Sequence, residues 1–315
     1  MKRFPLGARL ATTVTALGTA LGAFASMGTA TAATAQLSGE WAPFTRCPVN
    51  APAMLAADGL ARTPQCVVSS SPNGSITLGK TTVVTGRTNL QMGVVQSSDG
   101  TSTVVAPSDG AIIADSASVP GGLLGLMCPS DLPGITAICE QLANSTLNKI
   151  TATVESVGTP SDFDQSAGVL TDLPIVALPV RIHLENPFLG ANCYIGTKSN
   201  PIVLRPANLT YPTFGLSFFK GDGTPADDGE MSRIGLTGAT QRDSGFAVPG
   251  ASGCGLGLGL VDAAVNLKTG LPSAAGKNSL TLNNTQTYLT GLTAPGTVAP
   301  DAGKILARNW NSAVK

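Results

Sequence analysis

Aromatic side chains make up only 4% of this 315-residue sequence and charged ones only 12%. Two tryptophans and three tyrosines are few for a sugar-binding groove. There is one histidine, His183, and no C-x-x-C pair, so zinc lacks its ordinary ligand set. No block of Lys and Arg occurs. Binding of nucleic acid needs clustered cations to neutralise phosphates, so that class of partner is excluded, and an anionic membrane surface is disfavoured on the same ground. No G-x-S-x-G elbow is present, and beyond Met27 no apolar run is long enough to cross a bilayer.

What is present begins with an export pattern. Lys2, Arg3 and Arg9 precede an apolar, Thr-interrupted stretch from Leu10 to Met27. Small-residue sites follow at Ala30-Thr31-Ala32 and Ala33-Thr34-Ala35. Residues 1–35 therefore read as a signal peptide, and 36–315 as a secreted, extracellular or envelope-associated chain with no transmembrane segment after signal removal. Without Lys2, Arg3 and Arg9, 16 basic residues face 19 acidic ones, a mildly acidic balance. The exported part holds all six cysteines: Cys47, Cys66, Cys128, Cys139, Cys193 and Cys254. An even count in an exported chain reads as a disulfide framework. Six cysteines allow 15 pairings. Order along the chain suggests Cys47–Cys66, Cys128–Cys139 and Cys193–Cys254, but the sequence does not choose among them.

Short Thr- and Val-rich stretches separated by turn residues dominate. QCVVSS, SITLG, TTVVTG, LQMGVVQ, STVVA and AIIAD fall between residues 65 and 115, and ITATVES follows at 150–156. Closely spaced strands with little helix between them predict a mainly β, disulfide-stapled antiparallel sandwich or barrel-like fold. About three short helices interrupt it. One opens at Asp131 and Pro133, with Ile135, Ile138, Cys139 and Leu142 on one face. A second is LVDAAVNLKTG, stopped by Gly270 and Pro272. The third lies in PDAGKILARNWNSAVK, with Asp301 as cap and Leu306, Trp310 and Ala313 on its apolar side. Residues 36–315 read as a single domain. SVPGGLLGLMC with NSTLNKITATV echoes AVPGASGCGLGLGL with NSLTLNNTQTY, which leaves open two similar halves, 36–160 and 169–315.

Chemistry is harder to find. In IVALPVRIHLEN, period two sets Val176, Leu178, Val180, Ile182 and Leu184 against Arg181, His183 and Glu185. His183 then lies on a solvated strand face, Pro179 hints at a sheet edge, and Cys193 is scaffold rather than nucleophile. Glu155 and Glu185 are the conceivable carboxylate pair of a glycosidase. Ser244 in RDSGF is the conceivable serine of a hydrolase, with His183 as its only available base. KGDGTPADDGE gathers Asp222, Asp227, Asp228 and Glu230, a candidate calcium loop, although Thr224 and Ala226 interrupt the EF-hand pattern. No other cofactor is implied. The apolar runs GGLLGLMC and CGLGLGL suggest a groove walled by Leu123, Leu124, Leu256 and Leu258, for a lipid or an envelope protein.

NPFLGANCYIGTKSNPIVL (186–204) and VPGASGCGLGLGLVDAAVNLKTGLPSAAGKNSLTL (248–282) resemble the hallmark segments of a family of exported proteins of high-GC Gram-positive bacteria. The pattern is CYIG-x-x-x-NPI followed by VP-x-ASGCG and GLPSAAG. CPVNAPAMLAADG and SSPNGSITLG resemble its members in the first half. The resemblance implies export, a shared fold and Cys193 and Cys254 as recurrent cysteines. It supplies no catalytic residue. The preferred reading is a non-catalytic binding or envelope-associated structural protein. The rival is a secreted hydrolase of polysaccharide or ester.

Overall fold

The stretches rich in Thr and Val pleat as their composition predicts. The computed structural model describes residues 36–123, 146–255, 259–293 and 299–315. Its first strands are β1 (Arg62–Ser71), β2 (Asn73–Leu78), β3 (Thr81–Thr85), β4 (Thr88–Ser97), β5 (Ser102–Val105), β6 (Ile112–Ala114) and β7 (Ala117–Ser118). The later ones are β8 (Thr151–Ser156), β9 (Leu178–Glu185), β10 (Tyr194–Ile195), β11 (Ile202–Leu204), β12 (Ala207–Asn208) and β13 (Thr213–Phe219). They are followed by β14 (Met231–Asp243), β15 (Ala251–Ser252) and β16 (Ser279–Thr293). Helices α1 (Pro52–Leu55), α2 (Leu260–Thr269) and α3 (Ala302–Ser312), with 3-10 segments at Gly39–Trp41, Thr146–Asn148 and Ala167–Val169, complete the described elements.

The strands form two antiparallel sheets in a sandwich-like arrangement, not a closed barrel. The large sheet runs β12-β14-β16-β1-β4-β5, with β13 on β14, β2 between β16 and β3, and β6 on β4. The small sheet runs β15-β10-β9-β8-β7, with β11 also on β9. Each sheet takes strands from both the first and the second half of the chain.

Burial explains why β1 and β4 do not alternate in sequence. From Pro64 to Val68 and from Gln91 to Val95 every residue is buried. Val67, Met92, Val94, Leu236, Leu280 and Leu289 join the core between the sheets. Cys66, Val68, Val95 and Met231 belong to a second core with Leu37, Trp41, Phe44, Val49, Met54 and Leu306. The large sheet is thus covered on both faces, by the small sheet on one and by the segment before β1 plus α3 on the other. A strand buried on both faces reads as a continuous apolar run rather than an alternation.

That second layer is tied down covalently and by hydrogen bonds. Cys47 is bonded to Cys66 of β1; in the core between the sheets, Cys193 is bonded to Cys254. Closing chain separations of 19 and 61 residues stabilises by about 3 and about 4 kcal/mol in the chain-entropy picture. Trp310 Nε1 donates to the Phe44 carbonyl at 2.8 Å, and Trp41 Nε1 to the Gly221 carbonyl at 2.9 Å. Cys128 and Cys139 lie outside the described residues, as do the signal segment 1–35 and the helix expected from Asp131.

Two of the expected helices are in place. α2 ends at Gly270, which takes the left-handed conformation (φ 70°) and donates to the Asn266 carbonyl. In α3, Leu306 and Ala313 are buried as the pattern predicts. Asp301 departs from expectation. It stands at the N-cap but has φ 65°, and its side chain caps nothing. Oδ1 instead accepts from Lys304 Nζ at 2.9 Å. The edge reading of Pro179 is also corrected. β9 pairs with β8 on one side and with β10 and β11 on the other. Its ladder with β8 stops at Ser156↔Val180, so the missing N–H of Pro179 falls where pairing ends.

Gly303 marks the tightest contact of α3. A Cβ there would stand 2.0 Å from the Met54 carbonyl oxygen of α1. Gly303→Ala is expected to destabilise the protein by about 2–3 kcal/mol in urea unfolding, since backbone must move to admit the methyl. Unchanged stability would mean that α3 does not dock on α1.

Candidate functional site

Between the sheets the core does not close. A void of ≈ 110 Å³ lies against Val67, Ile76, Leu90, Leu236, Leu280 and Leu282 of the large sheet. Val154, Leu178 and Leu204 of the small sheet, with Phe163 and Ile175 from the β8–β9 connection, form the facing wall. A second void of ≈ 50 Å³ adjoins it, lined by Leu78, Val83, Val119, Ile150, Ile182 and Leu184 among others. The two share Ile76, Thr85, Thr88, Ala114 and Val154. Together they make an apolar slot running between the sheets.

The polar groups along this slot are mostly spent on one another. Ser69 Oγ and Thr287 Oγ1 are 2.8 Å apart. Asn208 Nδ2 donates to the carbonyls of Gly168 and Leu170, and Gln241 Nε2 to Asn208 Oδ1. Thr285 Oγ1 donates to the Ala239 carbonyl. A void so lined offers water few partners and stays dry unless an apolar molecule fills it.

The residues proposed from the sequence for an apolar groove are not these. Leu123 is half-buried against the inter-sheet core. Leu124, Leu256 and Leu258 lie outside the described residues. The slot is instead built from positions scattered between Val67 and Thr287, which only sheet register brings together.

On the outer face of the small sheet the structure gathers residues singled out for catalysis. Register sets Thr153 opposite His183 and Glu155 opposite Arg181, with Tyr194 opposite His183 on the other side. His183 stacks on Tyr194 with ring centroids 4.5 Å apart, and Arg181 sits 3.8 Å above the same ring. His183 Nε2 donates to the Ala191 carbonyl at 3.2 Å, and Nδ1 lies 3.6 Å from both Glu155 and Glu185. With 17% of its side chain exposed, His183 is more enclosed than its strand face suggests. Glu155 is held by Arg181 at 2.7 Å, and Glu185 accepts from Thr151 Oγ1 at 3.1 Å.

This arrangement limits the chemistry available. The imidazole fills the space between the two carboxylates that a glycosidic bond would occupy. The Cys193 sulfur is bonded to Cys254, so there is no thiolate for His183 to activate. Ser244 is exposed and is not among the hydrogen-bond partners of His183. None of these residues lines the slot.

The acidic loop is the turn between β13 and β14. Asp222 Oδ1 accepts from the Thr224 N–H at 2.9 Å, and Glu230 Oε1 from the Gly221 N–H at 2.8 Å. Asp227 and Asp228 are both exposed. Among the described residues, no three His, Cys, Asp or Glu side chains converge as a metal site. No helix among them is long and apolar enough to cross a membrane. The chain matches no protein-family model, no curated protein and no solved structure.

Hydrogen bonds from the Thr224 backbone and hydroxyl hold the Asp222 carboxyl below the usual carboxylate range. A lowered folded value means stabilisation that is complete above the unfolded value and lost as pH falls through the folded one. Asp222→Ala is therefore expected to melt below wild type at about pH 7, with the gap narrowing as pH falls below the ordinary carboxylate value of about 4 in thermal scans. A gap that persists in acid would deny the carboxylate this role.

Proposed function

We propose that the protein is an exported, non-catalytic binder of a small apolar molecule, held in the slot between its two sheets. The observation that carries this reading is the void itself: two adjoining spaces, walled by aliphatic side chains, inside an otherwise packed sandwich. Ligand sites are typically concave and mainly apolar, with few polar groups left unpaired. Two disulfides among the described residues fit an oxidising compartment, in line with the export pattern at residues 1–35. The resemblance to exported proteins of high-GC Gram-positive bacteria points the same way.

Val154 lines both spaces and projects from β8 across the slot. Wild type is expected to bind 3-hexanone, whose six carbons suit spaces of ≈ 110 and ≈ 50 Å³, saturably in headspace partitioning. Val154→Phe should weaken that binding about tenfold while leaving the far-UV spectrum and the unfolding transition of a folded sandwich. Wild type that binds nothing saturably, or a variant that binds as well as wild type, would refute the slot as the site.

A further inference from the structure

One polar atom in the slot wall is not spent. Thr85, at the end of β3, belongs to both spaces, and its Oγ1 is sealed from solvent with no hydrogen-bond partner among the described residues. Its inward direction follows from strand alternation: Val83 is buried and Val84 exposed, so Thr85 shares the inner face with Val83. A buried hydroxyl without a partner costs folding free energy, and native structures seldom tolerate one without reason. The neighbouring Ser69, Thr285 and Thr287 show how this sheet ordinarily satisfies such groups, each having a partner within 3.0 Å.

Position adds the second half of the argument. Thr85 stands at the junction of the ≈ 110 Å³ and ≈ 50 Å³ spaces, not at the closed end of either. Aliphatic side chains line the slot on both sides of it: Leu236 and Leu280 in the larger space, Ile182 and Leu184 in the smaller. Turning χ1 by one staggered well exchanges methyl and hydroxyl at the wall and breaks no protein hydrogen bond.

From this geometry we infer that the occupant of the slot carries a single hydrogen-bonding oxygen between two aliphatic arms, a secondary alcohol, ketone or ester, with that oxygen paired to Thr85 Oγ1. The inference rests on the slot being a ligand site, as proposed above. An arm fills each space, and the polar group meets the Thr85 hydroxyl, the one solvent-sealed hydroxyl of the wall without a partner among the described residues. A plain hydrocarbon would leave Thr85 unpaired, and a molecule with its only polar group at a chain end would place that group among aliphatic side chains.

The test compares 3-hexanol, whose hydroxyl stands between a longer and a shorter alkyl arm, with hexane, each measured by headspace partitioning against the protein. Wild type is expected to prefer the alcohol by about five- to tenfold, the worth of one hydrogen bond made in place of an unpaired group. Thr85→Val, which replaces the hydroxyl by a methyl of similar shape, should keep its affinity for hexane and bind the alcohol more weakly than hexane, since the ligand hydroxyl is then buried unpaired. It should also unfold at the same denaturant concentration as wild type or higher. Thr85→Ser should retain the preference. Equal affinities in wild type, or a preference that survives in Thr85→Val, would overturn the assignment of Thr85 and leave apolar binding standing. Failure of both compounds to bind saturably would overturn the slot as a ligand site altogether.

Discussion

Both faces of the ten-stranded sheet must be covered, and the rest of the architecture follows from that requirement. β1 and β4 carry apolar side chains on both sides, so one packed layer cannot bury them. The small sheet covers one face. The other takes Trp41, Phe44 and Met54 from the segment before β1 and Leu306 from α3, elements far apart in sequence. Neither would hold a fixed position alone, being short and irregular. The Cys47–Cys66 bond and the Trp310-to-Phe44 hydrogen bond supply what a longer helix or a third sheet would supply elsewhere.

The two faces differ in how well they are filled. The outer core uses large aromatic side chains at close range, Trp41 lying edge-on to Phe44 and Phe219. The inner core faces a second sheet, and sheets pack about 10 Å apart. At that spacing Leu and Ile close the gap, but Thr85, Thr88, Ala114, Gly168 and Ala239 do not, and these small residues line the slot. Small side chains at facing positions thus leave the void, beside the register shifts of β14 against β16 around Ala239. On its far side the small sheet turns outward a row of Glu155, Arg181, His183, Glu185 and Tyr194 that pair mainly with one another. Such a ladder covers its own sheet face and leaves the interior as the place where the protein has unmet capacity.

Much of the fold was legible because it is local. Period-two alternation in 176–184 and the Thr/Val stretches of 65–115 mark strands that the structure contains, and Gly270 marks the end of α2. Apolar runs such as QCVVSS betray strands without revealing that a second layer covers them. Trp41 and Phe44 sit in turns and a short 3-10 segment, with no periodicity to announce a core. The enclosed state of His183 depends on Tyr194, which reaches it only through the β9–β10 register. The slot was the least legible feature. Its walls come from strands separated by up to about two hundred residues, and a small side chain reads in sequence as strand or turn, not as missing volume. The Gly-Leu runs drew attention because their composition is unusual, whereas the walls of the slot are ordinary Val, Ile and Leu.

The central claim is that the space between the sheets is real and holds an apolar occupant. A high-resolution crystal structure of the protein recovered from its own host, purified without detergent, tests it most directly. The account predicts elongated density between the sheets, continuous past Thr85 and bounded by Ile76, Val154 and Leu236. Sheets packed into contact along that path, with no void and no density, would contradict it.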